Sequence, residues 1–296
     1  MLTDTGFTDA TFHGWTGYIT SSRTQGALIA ARKPTQAASR THDRKTGGPM
    51  SKIASLAYGV VCYLIFLGAF LYAIGFVGNL IVPKSIDTGP VVSPVEALIV
   101  NLLLLSLFAV SHSVMARPAF KLWWTQLVPS HVERSTYVLT SSLVLALMYW
   151  QWRPMPGVVW DAQHPALVAA LWGLFGVGWL VVLISTFLID HFDLFGLRQV
   201  YLYARGVPYT PPPFRTPALY RLVRHPIMLG FQIAFWATPT MTWGHLLFSV
   251  MTTTYIFVGI FLEERDLKAS FGSTYDEYRQ QVGTLLPWIG KNNRTG

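Results

Sequence analysis

The sequence has little charge and almost no cysteine. Asp, Glu, Lys and Arg together make up 12% of its 296 residues, against about 25% in an ordinary soluble protein, while 52% of the residues are apolar. This balance excludes a normal soluble surface and predicts a membrane protein. Because Cys62 is the single cysteine, a disulfide framework and a multi-cysteine metal site are also excluded, and we predict no metal site.

The missing charge is concentrated in windows that are long enough to cross a membrane, since a helix needs about 20 residues to span a hydrocarbon core of about 30 Å. The uncharged runs cover residues 53–83, 97–116, 135–152, 162–189 and 225–262. The last run has 38 residues and would be about 57 Å long as one helix. The breakers at 239–244 therefore predict a hairpin of two helices, 226–239 and 244–262. The first arm is short for a full span, so it either tilts or stops part way while packed against protein.

These windows predict an all-α fold, a polytopic membrane helix bundle of about six transmembrane segments with a C-terminal helical hairpin. With six spans, 20 of the 22 Lys and Arg residues lie on one side, and Lys84 and Arg153 lie on the other. Basic residues are retained on the cytoplasmic side, so we expect both termini to be cytoplasmic. The net charge of +8 is then explained by topology and by membrane lipids as partners, and we expect no nucleic-acid binding.

The chain divides into three expected parts. Residues 1–49 are rich in Thr, Ser, Gly and Arg without a sustained apolar period, and we expect a disordered N-terminal extension. A start at Met50, directly before the first span, is an alternative in which this extension is not translated. Residues 50–153 are expected to hold the N-terminal transmembrane helices, and residues 154–296 the C-terminal core with the functional site.

Two motifs carry the strongest functional signal. Residues 220–230 are Tyr-Arg-Leu-Val-Arg-His-Pro-Ile-Met-Leu-Gly, and residues 262–266 are Leu-Glu-Glu-Arg-Asp. The predicted hairpin returns the second motif to the membrane level of the first. Cations, carboxylates, aromatic rings and a glycine at one level suit a zwitterionic, aromatic cofactor.

This arrangement resembles the isoprenylcysteine carboxyl methyltransferase and phospholipid methyltransferase families. Their Arg-His-Pro-x-Tyr-x-Gly motif, helical hairpin and Glu-Glu pair form a pocket for S-adenosyl-L-methionine. Residues 112–121 and 185–199 resemble a bacterial branch related to the NnrU-type membrane proteins, and within it residues 50–288 are most similar to enzymes that methylate a small thiol, methanethiol, to dimethyl sulfide. The resemblance implies an S-adenosyl-L-methionine-dependent S-methyltransferase of the bacterial inner membrane; it implies nothing about the oligomeric state.

The resemblance also implies which residues bind the cofactor. With their aromatic neighbours, the expected residues are Tyr220, Val223, Arg224, His225, Pro226, Met228, Gly230, Glu263, Glu264 and Tyr275. Met228 stands where the family often has tyrosine, so a tyrosine hydroxyl contact to the cofactor is either lost or supplied by another residue, with Tyr220 and Tyr275 as the candidates. Adjacent carboxylates point to different faces of a helix, so one of Glu263 and Glu264 is expected to be structural.

A second group of polar residues ends the fourth span. One interpretation makes His191, assisted by Asp190 or Asp193, the catalytic base that removes the thiol proton, because the thiolate is the nucleophile. The alternative is an ion-pair cluster with Arg198 that ends the helix. For the acceptor thiol, a cavity between the hairpin and the fourth span is one expected route from the bilayer.

Other functions remain open from the sequence. A methyltransferase with the same cofactor pocket could act on a lipid or an isoprenylcysteine-like acceptor. A sterol-reductase-like enzyme shares a similar histidine-proline motif but binds NADPH, and a non-enzymatic denitrification-associated membrane protein or transporter would bind neither cofactor.

Overall fold

The computed structural model describes residues 8–21, 24–32 and 49–287, with side chains for residues 51–287. The chain forms two compact units, Met1–Met50 and Ser51–Gly296. In the first unit, strands β1 (Thr8–Ser21) and β2 (Thr24–Arg32) pair as an antiparallel hairpin. The threonine and aromatic side chains of β1 favour extended backbone, and the disorder expected for residues 1–49 as a whole stays a prediction. Residues 33–48 lie outside the described residues, and the boundary expected between residues 153 and 154 stays a prediction.

The second unit is mainly helical. Its helices are α1 (Pro49–Gly78), α2 (Pro94–Ala116), α3 (Pro118–Trp124), α4 (Ser130–Gln151), α5 (Pro165–Ile189), α6 (His191–Leu194), α7 (Leu197–Arg205), α8 (Pro226–Trp236), α9 (Trp243–Phe271) and α10 (Ser273–Gln281). A 3₁₀ turn (Ala218–Arg221) precedes α8, and two short strands, β3 (Val158–Asp161) and β4 (Thr240–Thr242), pair with each other.

Proline starts many of these helices. Pro94, Pro165 and Pro226 occupy the first turn of α2, α5 and α8, where the missing N–H needs no partner. At α2 the hydroxyl of Ser93 also accepts from the backbone N–H of Glu96 at 3.2 Å, which caps the helix. Helices α2 and α5 therefore begin at Pro94 and Pro165.

The helices have the lengths and surfaces of a multi-pass membrane protein. Four of the described helices, α1, α2, α5 and α9, are long and apolar enough to cross a bilayer. The other two predicted spans are α4, which has 22 residues and several hydroxyl side chains, and α8, which has 11. Large apolar side chains such as Leu103 (65% exposed) and Phe261 (69% exposed) point outward, as expected for lipid-facing surfaces. The predicted all-α polytopic fold with a C-terminal hairpin is confirmed.

The hairpin uses a strand to compensate for its short arm. At about 1.5 Å per residue, α8 is about 16 Å long, half of the hydrocarbon core. Residues 237–239 are irregular and residues 240–242 form β4, and these six residues add at most about 20 Å. The first arm can therefore reach at most about 36 Å, compared with about 33 Å for the 22 residues of α9 from Trp243 to Glu264. The extended backbone is paired within the protein: β4 pairs with β3, and the Ala162 and Trp243 amides donate to the carbonyls of Pro239 (2.9 Å) and Gly157 (2.8 Å).

Helices α5 and α8 cross at two glycines. A methyl group added to Gly178 would lie 2.6 Å from the backbone nitrogen of Ala234, and one added to Gly230 would lie 2.7 Å from the carbonyl oxygen of Gly178. The two backbones are therefore in direct contact. This overturns the expected cavity between the hairpin and the fourth span at the level of this crossing, because no space separates the helices there.

Candidate functional site

The candidate site is built where the chain enters α8. Val223 forms a parallel bridge with Gly283, and the amides of Arg224 and His225 donate to the carbonyl oxygens of Gly283 (2.8 Å) and Thr284 (3.2 Å). We call residues 282–284 the closing segment. Through these bonds the closing segment holds the Arg-His pair in a fixed orientation at the start of α8.

Arg224 joins this segment to the second motif. It is 5% exposed, and its Nε and Nη2 atoms lie 2.8 Å and 2.7 Å from Oε1 of Glu264. Its Nη1 donates to the carbonyl oxygens of Val282 and Arg279, and its Nη2 donates to Oγ1 of Thr284 at 2.7 Å. One buried guanidinium thus connects the start of α8, the end of α9, the end of α10 and the closing segment.

His225 lies between the two carboxylates of α9. Its Nε2 is 3.2 Å from Oε1 of Glu264, and its Nδ1 is 3.5 Å from Oε2 of Glu263. Burial alone lowers the pKa of His225, but the hydrogen bonds and negative charges of Glu263 and Glu264 outweigh burial and raise this pKa above its ordinary value. The imidazole is therefore held in an acidic environment and favours its protonated form.

The two carboxylates differ in burial. The Glu264 side chain is 12% exposed, and its Oε2 lies 3.3 Å from Nε of Arg279. The Glu263 side chain is 48% exposed. The structure thus turns one member of the pair inward and leaves the other accessible, as adjacent positions on a helix require.

Tyr275 completes the inner wall of the site. It is 1% exposed, and its hydroxyl has no hydrogen-bond partner among the described residues. Burial, followed by the negative charge of Glu264, raises the pKa of Tyr275, so its hydroxyl keeps its proton and can donate. The ring of Phe214 packs beside it, with its centroid 6.0 Å from the ring centroid of Tyr275 and 5.5 Å from that of Tyr278.

Tyr220 connects the site to the end of α5. Its hydroxyl donates to the carbonyl oxygen of Ser185 at 3.4 Å, and its own carbonyl accepts from the hydroxyl of Tyr278. Burial raises the pKa of Tyr278 to about 12. Tyr220 therefore holds the 3₁₀ turn against both α5 and α10.

The remaining motif residues lie further along α8. Pro226 starts the helix, Met228 is half-buried, and Gly230 lies at the contact with Gly178. The geometry gives Gly230 a role in helix packing. Its cofactor contact, like that of Met228, stays a prediction.

His191 is built into a separate aromatic cluster. It is 5% exposed, its Nε2 lies 2.9 Å from the Tyr63 hydroxyl, and its Nδ1 lies 2.9 Å from Oγ1 of Thr186. Its ring stacks on Phe187 with centroids 4.1 Å apart. Burial lowers the pKa of His191, which favours the neutral form.

The carboxylates expected to assist His191 are engaged elsewhere. Oδ1 of Asp193 pairs with Nη1 of Arg198 at 3.0 Å, and the hydroxyl of Tyr209 donates to its Oδ2 at 3.3 Å. Oδ1 of Asp190 accepts from the Asp193 amide at 3.1 Å and caps α6. These contacts favour the ion-pair cluster that ends the helix, and the catalytic roles of His191, Asp190 and Asp193 stay predictions.

Several functional contacts were missed in the sequence. Arg279, Thr284 and Phe214 all contact the cluster, but each lies outside the two motifs, residues 220–230 and 262–266. The one available signal was Arg279, which directly follows the aromatic pair Tyr275 and Tyr278 on a short amphipathic helix. Among the described residues, no group of three His, Cys, Asp or Glu side chains could hold a metal ion.

Fold and site together define a multi-pass helical membrane protein with a buried Arg-His-carboxylate cluster at one end of a helical hairpin. The chain is 58% identical over 240 residues, 81% of its length, to a methanethiol S-methyltransferase of Mycobacterium tuberculosis, and the match covers 98% of that protein. It is 56% identical over 243 residues to methanethiol S-methyltransferase 1 of Bradyrhizobium diazoefficiens, covering 82% of this chain and 85% of that protein. The chain belongs to the methanethiol S-methyltransferase family.

A more distant relative is nurim of Mus musculus, which is 32% identical over 179 residues, 57% of this chain and 67% of that protein. No family model and no solved structure matches the chain. The resemblance to membrane methyltransferases that the motifs suggested is confirmed by the relatives.

Proposed function

We propose that this chain is an S-adenosyl-L-methionine-dependent S-methyltransferase that converts methanethiol to dimethyl sulfide in the membrane. The observation that carries the proposal is the 58% identity to a methanethiol S-methyltransferase over 98% of that protein. The site supports a methyl donor at the cluster of α8, α9 and α10, where the two sequence motifs meet.

The side chains of this cluster suit S-adenosyl-L-methionine, which supplies an electrophilic methyl group on a sulfonium and carries an ammonium, a carboxylate and an adenine. Glu263 offers accessible negative charge to a cation, and Tyr275 has a buried hydroxyl without a partner among the described residues. A buried phenol of this kind is costly unless a ligand or water accepts from it. Aromatic rings beside these groups suit an adenine face.

Methyl transfer to a thiol is an in-line displacement: the thiol S–H bond loses its proton, a new S–CH₃ bond forms, and the bond from the methyl group to the sulfonium breaks. The protein contributes alignment and exclusion of water. His191 is neutral because burial lowers its pKa, which is the form that accepts a proton, and its role as the thiol base remains a proposal.

The test is an assay on membranes that contain the protein. Methanethiol and S-adenosyl-L-methionine are supplied, and dimethyl sulfide is measured in the headspace, with protein-free membranes as the control. Dimethyl sulfide formation that depends on both substrates is the expected result. Transfer only to lipid or isoprenylcysteine-like acceptors, or binding of NADPH in place of the methyl donor, would refute the proposal.

We further propose that the cluster faces the cytoplasm in the bacterial inner membrane, with both termini on that side. The asymmetry of the basic residues supports this orientation. Reporter fusions after residue 87 and after residue 287 should report opposite sides of the membrane. The same side for both would contradict the six-span topology.

A further inference from the structure

We propose that the two adjacent carboxylates of α9 have different tasks: Glu264, together with Arg224, positions the site, and Glu263 binds the α-ammonium group of the methyl donor. This inference rests on the proposed function. It divides between two residues a task that the motif alone assigns to the pair.

Glu264 is already surrounded by basic side chains of the protein. Its Oε1 faces Nε and Nη2 of Arg224 at 2.8 Å and 2.7 Å and Nε2 of His225 at 3.2 Å, and its Oε2 faces Arg279 at 3.3 Å. Two guanidinium groups and one imidazole surround a carboxylate whose side chain is 12% exposed. The positive charge of a ligand would be repelled by these guanidinium groups, so Glu264 holds protein groups rather than ligand.

Arg224 is equally committed. Its donor atoms already serve Glu264, the carbonyl oxygens of Val282 and Arg279, and the hydroxyl of Thr284. Because it is 5% exposed, a ligand could reach it only by displacing the closing segment. Arg224 is therefore a positioning residue that fixes α8, α9 and the closing segment relative to one another.

Glu263 has the opposite properties. Its side chain is 48% exposed and meets Nδ1 of His225 at 3.5 Å, a distance longer than a normal charge-assisted hydrogen bond. It lies one residue from the fixed Glu264, so the positioning network sets its direction as well. An ammonium group donates several hydrogen bonds and suits this accessible carboxylate, whereas a sulfonium has no N–H or O–H to donate.

The experiment compares Glu263→Gln and Glu264→Gln with Glu277→Gln, a matched control at an exposed carboxylate of α10. Purified protein in detergent is titrated with S-adenosyl-L-methionine and with S-adenosyl-L-homocysteine, which keeps the ammonium and lacks the sulfonium charge. The melting temperature without ligand is measured in parallel. Glu263→Gln should weaken both ligands by about 10- to 100-fold, the loss of one hydrogen bond between charged groups, with an unchanged melting temperature. Glu264→Gln should lower the melting temperature, and Glu277→Gln should change neither property.

The outcomes separate the inference from the function on which it rests. If the unchanged protein binds neither ligand, the proposed function fails. If that protein binds and Glu263→Gln binds equally well, or loses only the sulfonium compound, the assignment of Glu263 to the ammonium is overturned.

If Glu264→Gln does not fold, Thr284→Val tests the contacts of Arg224 with a smaller change, since it removes a single hydrogen bond from Nη2 of Arg224. Thr284→Val should lower the melting temperature, and at a temperature where the protein is folded it should raise KM for the methyl donor less than Glu263→Gln does. A larger effect on KM than that of Glu263→Gln, with an unchanged melting temperature, would overturn the positioning role.

Discussion

The contact of α5 with α8 predicts a large difference between two glycine substitutions in one helix. In Gly178→Ala the new methyl group would lie 2.6 Å from the Ala234 nitrogen and 2.8 Å from the Gly230 carbonyl oxygen, so the helices must separate by about 1 Å to restore ordinary contact distances. Overpacking of this kind costs about 1–3 kcal/mol, and the better helix propensity of alanine returns about 0.5–1 kcal/mol. The net loss of stability then spans about 0–2.5 kcal/mol, and its middle value is about 1 kcal/mol.

The matched control is Gly176→Ala, two residues earlier in α5, where an added methyl group meets no atom within 4 Å. Thermal unfolding in detergent should show a melting temperature about 2–8 °C lower for Gly178→Ala and an unchanged or higher value for Gly176→Ala. Because α8 begins at the Arg-His pair, Gly178→Ala should also weaken methyl-donor binding. Equal melting temperatures for the two variants would refute the direct backbone contact on which this reasoning depends.

Three further predictions follow from other contacts. His225 has a raised pKa, so the stabilisation from its ion pairs is fully present below its ordinary pKa of about 6.5 and is lost as the pH rises through the raised value. The difference in melting temperature between the unchanged protein and His225→Gln should therefore shrink from pH 6 to pH 9. A constant difference would contradict an ion-paired imidazolium. His191→Ala should lower the melting temperature more than Tyr63→Phe, because it removes two hydrogen bonds and a stacked ring. If His191→Ala instead keeps its stability and methyl-donor binding but turns over more slowly at low pH, His191 is the thiol base. Arg117→Gln removes a partly exposed ion pair with Asp266 of 2.9 Å and should cost at most about 1 kcal/mol, so a loss of folding would show that this pair is worth more than a surface contact.

The sequence predicted the hairpin because charge and chain length constrain it strongly. A 38-residue uncharged run cannot be one span, and residues 239–244 were its single cluster of breakers. The breakers form strand β4 rather than a simple turn, since β4 pairs with residues 158–161, about 80 positions earlier in the chain. Such a long-range pairing leaves no local pattern in a four-residue strand, and this is why the short first arm could not be explained from the sequence.

Glycine illustrates a second limit. Gly230 belongs to the motif that resembles a cofactor pocket, and the sequence assigned it to the cofactor. Its environment is set by Gly178 on another helix, and in membranes small residues let helix backbones approach closely. A glycine that admits a ligand and a glycine that admits a helix look the same in one sequence. The structure shows the helix contact of Gly230, and its cofactor contact stays a prediction.

Which of Glu263 and Glu264 points inward depends on which face of α9 is buried, and the sequence of a membrane helix does not reveal that face. Ile256 and Ile260 are buried and lie four residues apart, and Glu264 continues their stripe toward Arg224. The neighbouring stripe holds Phe257 and Phe261, which are 56% and 69% exposed. In a soluble protein the exposed stripe would be polar and would reveal the buried face. Because lipid accepts apolar side chains as readily as a protein core does, both stripes of α9 are apolar. The direction of each carboxylate is therefore known only from its surroundings: Arg224, Arg279 and His225 lie around Glu264, and the Glu263 side chain is 48% exposed.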